Sequence, residues 1–455
     1  MSRGARCRTA PWILAAGGLA LLSGPRVRAA WPPDSTVGDG TVEIDLPMAL
    51  RLAGARSLDV RIALGKLAEA RANHLAAIER VFPGVSPGLA YRRHGDLTQA
   101  TDGGLVDVEK EATSSGVTAS VQADLGGALY GALEAGALAS AAEHALDAER
   151  DASLVGAVQD YFDLLKSQAA VDIARDAVAV AREYSGQIDR AVDAGIAFRG
   201  DALRVQVQAV RAELNLEQAI ERRGAAAARL AATLRLGPGS APHADPSDLV
   251  PMALVDAGVA ADSLVDRALE ARPEARHADA QAAAARHALR GATLGPLLPA
   301  LGLQAFVGSL DGGPRDGPEV SGHTEDYAAT LGWRIGPGGL FDVARIRAAG
   351  AREDAARYSS EKVADEIRRQ VVESSTRVRS RTSQVELAKR ELDAAEEALR
   401  ISRQRSDFGI AAVLERILAE QDLMRARTDY AGAIADLNTA QYALLRAIGD
   451  LERGP

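Results

Sequence analysis

The sequence predicts a mainly α protein built from very long coiled-coil helices with a small β portion inserted between them. Three observations predict it. Residues 129–194 and 341–407 contain no proline and run about 66 residues each, or about 100 Å at a rise of 1.5 Å per residue. Large apolar residues recur every seven places along the second of these. Between the helical stretches, short segments alternate apolar and polar residues with a period of two.

Residues 1–29 read as a signal peptide. Arg3, Arg6 and Arg8 form a basic front, "PWILAAGGLALLSG" an apolar stretch, and Val27-Arg28-Ala29 a small-residue cleavage site. The segment holds five arginines and no acid, so removing it takes the formal charge from −9 to about −14, which excludes strong nucleic-acid binding. Cys7, the only cysteine, lies in the basic front, so neither a disulfide nor a lipid-bearing first residue is expected. With only 6 Phe, 3 Trp and 8 Tyr the chain suits alanine-lined helices packed closely side by side better than a thick globular core.

No later segment offers the roughly 18–20 consecutive apolar residues of a spanning helix, so a membrane crossing would need a closed barrel. In "SGVTASVQADL", Val117, Ala119, Val121, Ala123 and Leu125 alternate with polar neighbours; in "DYAATLGWRI", Tyr327, Ala329, Leu331, Trp333 and Ile335 do the same. "VSPGLAYRR" and "PALGLQAFVG" precede them as weaker partners, across the polar, glycine-rich loops 94–114 and 309–326. A soluble sandwich edge would alternate in the same way. Two features favour the barrel: both hairpins interrupt very long helices, and Tyr327 and Trp333 suit membrane interfaces.

The heptad seam runs Val371, Val378, Val385, Leu392, Leu399, then resumes as Leu423, Tyr430, Leu437, Leu444, with Ala426, Ala433, Ala440 and Ala447 three places later. The chain also repeats at about 214 residues: Gly195-Ile196-Ala197 answers Gly409-Ile410-Ala411, and Asp201 falls opposite Glu415. The organisation is therefore a first repeat over 30–236, a Pro/Gly-rich linker over 237–261, a second repeat over 262–449 and a tail over 450–455. Gly195 and Gly409 read as turns where one long helix stops and another runs back. A glycine tolerated inside one longer helix is the alternative, and recurrence in both halves favours the turn.

Four stretches in order, "IDLPMALRLAGARSLDVRIA", "LVDRALEARPEARHADAQAAAARHAL", "LPALGLQA" and "FGIAAVLERILAEQDLMRARTDYAGAIADLNTAQYALLRAIG", together resemble the TolC-type outer membrane efflux protein family. The likeness covers nearly all of the mature chain. It implies a homotrimer: four strands per subunit close a twelve-stranded outer-membrane barrel, and the helices form a hollow α-barrel across the periplasm. It further implies that the turns Gly195-Ile196 and Gly409-Ile410 dock on a periplasmic adaptor protein, and that Asp201 and Glu415 line the entrance. Leu418 and Ala411 stand where some relatives place a second acid and an arginine, which puts a charge-latched closed state in doubt. For Asp201 and Glu415 the plainer reading is helix-start acids favoured by the macrodipole.

Catalytic constellations are absent from the pattern: the seven histidines show no metal-ligand spacing, and Ser359 with Lys362 fits a bare S-x-x-K without companion motifs. The expected function is a passive exit duct, without enzymatic activity or cofactor, taking cargo from an inner-membrane pump through an adaptor. A periplasmic coiled-coil adaptor or scaffold is the alternative. Such an adaptor would show one central helical hairpin rather than two repeated units.

Overall fold

The computed structural model describes residues 40–451 except 238, 257, 315–316 and 408–412. The expected signal peptide, and residues 452–455 of the expected tail, lie outside the described residues. The first repeat runs β1 (Thr41–Ile44), α1 (Leu46–Arg56), α2 (Leu58–Glu79), β2 (Gly84–His94), β3 (Leu97–Gln99), β4 (Leu105–Asp107), β5 (Lys110–Asp124), α3 (Leu125–Asp193) and α4 (Arg199–Thr233). After β6 (Ala241–Ala244) the second runs α5 (Ala261–Ala271), α6 (Pro273–Thr293), β7 (Ala300–Pro314), β8 (Val320–Gly332), α7 (Val343–Asp407) and α8 (Val413–Ala447). Helices α4 and α8 each have 35 residues and stand at the repeat offset read from the sequence.

Each repeat opens with two helices where the sequence suggested one. Ser57 breaks the first pair, its hydroxyl accepting from Val60 N (3.5 Å), and Pro273 starts the second helix of the later pair. The 69-residue α3 starts at Asp124, whose carboxylate accepts from Gly127 N at 3.1 Å. Along α7 the predicted seam is buried throughout, from Val371 (0% exposed) to Leu399 (4%). It packs on α8 in big-then-small layers: Val385 with Ile434 and Leu437, Leu392 and Ala395 with Ala426.

Strands β2, β5, β7 and β8 form one antiparallel sheet in that order. Its register sorts the residues cleanly. Rows such as Val85, Ala119, Ala305, Tyr327 and Val121, Leu303, Ala329 fall on one face; Ser86, Thr118, Phe306, Asp326 and Ser120, Gln304, Ala328 fall on the other. The ladder outlasts the apolar alternation. β5 starts at Lys110, β7 continues to Pro314, and part of the expected first loop pairs as β3 and β4. Beyond the apolar rows both faces are polar, so the backbone pairing there leaves no period-two signal. β8, by contrast, ends at Gly332 rather than running to Ile335. Trp333 leaves the sheet, and its indole N–H donates to Leu297 O (3.1 Å).

The largest core lies midway along α3, where Tyr161, Phe162, Leu164 and Leu165 meet Leu230 of α4, Val371 of α7 and Leu444 of α8. The linker, expected only to join the repeats, is stitched onto this core. β6 pairs in parallel with β1. Gln168, buried in α3, both accepts from Ala244 N (2.8 Å) and donates to Ala244 O (3.0 Å). Asn438 of α8, fully buried, accepts from Met252 N and donates to Val250 O, both at 2.9 Å. Gln441 accepts from Val255 N at 3.0 Å. At the α5–α6 corner the "RPE" of the second repeat has a similar role: buried Arg272 grips Glu274 (2.8 Å) and donates to Gln370 of α7 (2.6 Å), and Arg446 of α8 approaches Glu274 at 3.6 Å.

Replacing Asn438 by Ala removes the side-chain partners of the Met252 N–H and Val250 C=O, so the variant is expected to lose about 0.5–1.5 kcal/mol for each hydrogen bond. Urea unfolding reads the loss, with faster proteolysis inside 237–261. A second expectation concerns acid. Burial by itself raises the Glu274 pKa, but hydrogen bonds and charge from Arg272, with Arg446, outweigh it and hold the carboxyl below the usual glutamate range. Its contribution is present above the unfolded-state value and is lost as pH falls through the lower folded value. Glu274→Gln should therefore lower stability at neutral pH and flatten the stability–pH curve in that acid window.

Candidate functional site

The end of the molecule remote from the sheet is formed by the α3–α4 turn and the start of α8. Helix α3 stops in a hydrogen-bond pattern that needs a left-handed residue. Ile196 N donates to Ala191 O (2.8 Å) and Gly195 N to Val192 O (2.9 Å), with Gly195 at φ +71°. The chain reverses, leaving Ile196 and Phe198 each 82% exposed, and α4 begins at Arg199. Gly409, Ile410 and Ala411 of the second turn lie outside the described residues.

Asp201 sits in the first turn of α4, and Glu415 in the first turn of α8. Each has an arginine partner within the chain: Asp201 meets Arg204 at 2.9 Å, and Glu415 meets Arg405 of α7 at 3.1 Å. The second pair joins the two helices flanking the second turn. Leu418, where relatives place an acid, is half exposed.

The sequence reading missed a tie between the repeats. Arg416 of α8 lies over the ring of Tyr184 of α3, 4.0 Å from its centroid, and pairs with Glu420 at 3.1 Å. Both charged side chains are largely buried, 12% and 14% exposed. Its guanidinium also reaches Gln187 of α3 at 3.5 Å, while Gln421 donates to Gln208 of α4 at 2.8 Å. Underneath, Tyr184, Val205 and Ile417 form an apolar cluster. Burial raises the Tyr184 pKa, against the opposing pull of Arg416. The spacing Arg416/Glu420 is an ordinary i,i+4 helix pair, so only the cross-repeat packing reveals it. The first repeat holds Ala202 and Gln206 at the matching positions, so the tie is one-sided.

Among the described residues no group of acids, histidines or cysteines could hold a metal ion, and no helix is long and apolar enough to cross a membrane.

Two long helical hairpins carrying a four-stranded sheet with one apolar face form a fold that recurs in solved outer-membrane channels. Residues 264–450 match the family model described as outer membrane efflux protein, so the TolC-type resemblance read from the sequence stands. Three solved channels share the fold. The outer-membrane channel OprN is 21% identical, with 89% of each chain covered and a TM-score of 0.71. The Campylobacter jejuni CmeC outer membrane channel is 15% identical, with 89% of this chain and 86% of that one covered and a TM-score of 0.73. The Neisseria gonorrhoeae MtrE outer membrane channel, solved in its open state, is 19% identical, with 89% of each chain covered and a TM-score of 0.71. No curated protein sequence matches the chain.

At Gly195 an added Cβ meets nothing within 4 Å, so the cost of alanine there is conformational only, about 1–2 kcal/mol for a left-handed residue. Gly195→Ala is expected to speed hydrogen exchange at Ile196 and Ala197 while leaving the rest of α3 protected.

Proposed function

We propose that the protein is the outer-membrane exit duct of a tripartite efflux or type I secretion system, a homotrimer that passively conducts cargo delivered by an inner-membrane pump through a periplasmic adaptor. The observation that carries this reading is the sheet. One face is apolar, with Val85, Leu303, Val307, Tyr327 and Leu331 exposed on it, and its edge strands β2 and β8 run antiparallel to each other with no partner among the described residues on their outer sides. Three copies joined β8 to β2 give twelve strands, antiparallel throughout, with apolar residues toward lipid and polar ones inward. The helices then extend about 100 Å into the periplasm. A periplasmic scaffold gives no reason for the exposed apolar rows.

In this reading the α3–α4 turn, with exposed Ile196 and Phe198, and its counterpart at Gly409 and Ile410 contact the adaptor. Asp201 and Glu415 of three copies converge on the entrance, where carboxylates attract cations. Arg204 and Arg405 offset part of that charge, so selectivity there is weaker than the acids alone suggest. The resting state is held chiefly by the apolar Tyr184–Ile417 contact and the Arg416–Glu420 tie.

Leu331 lies in the lowest apolar row, one residue from the end of β8, whereas Leu303 is central in the band. Leu303→Arg should cost about 2–4 kcal/mol, the figure for arginine at the lipid midplane, and Gln304→Arg, on the other face, should be tolerated. Trimer melting in lipid vesicles reads the difference, and conductance of the purified protein in planar bilayers tests the duct itself. Equal tolerance of both substitutions, or a protein that never inserts, would overturn the reading.

A further inference from the structure

At the junction of sheet and helices a cavity of about 680 Å³ is walled by α3, α6, α7 and the end of α2. Arg80, Arg345 and Arg352 line it, over a floor of small residues that includes Ala288, Ala292 and Ala349. Arg345 and Arg352 are seven residues apart and share one face of α7. Farther along α7, Arg357 pairs with Asp354 and Glu361, Arg368 with Asp365, Arg369 with Glu366 and Glu373, and Arg400 with Glu397, whereas Arg381 and Arg405 reach acids of α8. Arg352 has alanine at all four helical neighbour positions, 348, 349, 355 and 356. Among the described residues neither Arg80 nor Arg352 has an ion-pair partner; Arg345 reaches the Gly338 carbonyl (3.5 Å) and has Asp342 one turn back. Of the two acids in the wall, Asp124 is occupied in capping α3, leaving Glu134 opposite three guanidinium groups.

We propose that this cavity binds a small organic anion in transit, one bearing a carboxylate, sulfonate or phosphate group held by Arg80, Arg345 and Arg352, with its apolar body against the alanine floor. Gln122 and Asp124 of its wall belong to the polar face of the sheet, the face that turns inward when the barrel closes, so the cavity opens to the lumen. A chain of net charge −9 that keeps a positive site in its conduit wall gains a resting point for anionic cargo past an acidic entrance. This inference rests on the duct reading for its lumenal placement.

The test uses the purified full-length trimer in detergent, titrated calorimetrically with sodium pyrophosphate at low salt. The R345Q/R352Q double variant should bind at least tenfold more weakly, while R357Q, farther along the same helix, binds as the unaltered protein does; trimer retention on native gels shows that the variants fold. In planar bilayers, pyrophosphate should reduce the conductance of the unaltered protein and not of the double variant. Equal binding by both proteins would overturn the proposal, as would retention of phospholipid by the unaltered protein alone without any effect of pyrophosphate on conductance, which would assign the arginines to lipid headgroups. A protein that binds pyrophosphate but conducts no current would sink the duct and leave the anion site standing.

Discussion

The outer edges of β2 and β8 expose rows of backbone N–H and C=O groups that no other strand of the described residues pairs. Lipid offers them nothing, and each such group left bare in hydrocarbon costs several kcal/mol. An apolar face and open edges are incompatible in one copy, and the rest of the architecture follows from that conflict. In the proposed trimer, copies of the sheet pair edge to edge, and the helices that continue from β5 and β8 stand in the same ring, which favours narrow, alanine-lined contacts over bulky ones. The low aromatic content of the chain and the big-then-small layers along α7 and α8 are consistent with that geometry.

Sequence duplication provides the ring with near-equivalent hairpins, but the two repeats are not interchangeable. The Arg416–Glu420–Tyr184 tie has no counterpart at Ala202 and Gln206, and the polar clamps on the linker come from α3 and α8, not from both return helices. These asymmetric contacts hold the two hairpins of one chain in a single relation at two heights, at the middle of α3 and near its far end. A motion that changes the bore at the turn end must therefore break the upper or the lower set. The lower set is smaller, resting on one largely buried charged pair and a three-residue apolar cluster, so it is the weaker of the two.

Much of the fold was legible because it is written in periodicities. The seven-residue seam of α7, the alternation of β5 and the turn at Gly195 all reflect local geometry, and the structure places them within a few residues of where the pattern ends. What stayed hidden depends on partners distant in sequence. Gln168, Asn438 and Gln441 look like polar interruptions of apolar helix faces until the linker they hold is seen beside them. The strand extensions past the apolar rows, and β3 with β4, are held by backbone pairing that side chains do not advertise. Asp201 and Glu415 were found from the repeat, whereas their partners Arg204 and Arg405 carried no such mark, and without them the turn end looked more acidic than it is.

Charge is arranged along the axis in a way that composition conceals. Near the turns, and at several places along α7, arginines and acids are paired at short range. At the junction with the sheet Arg80 and Arg352 have no ion-pair partner among the described residues, and alanines fill the helical neighbour positions of Arg352. Guanidinium groups gathered around one cavity are disfavoured, since like charges repel even at high dielectric. That repulsion is relieved when an anion enters between them, so the cluster binds more strongly than the same arginines would if dispersed. A site of this kind stays soluble and open when empty, releases its ligand as salt rises, and needs no movement of the helices to do either.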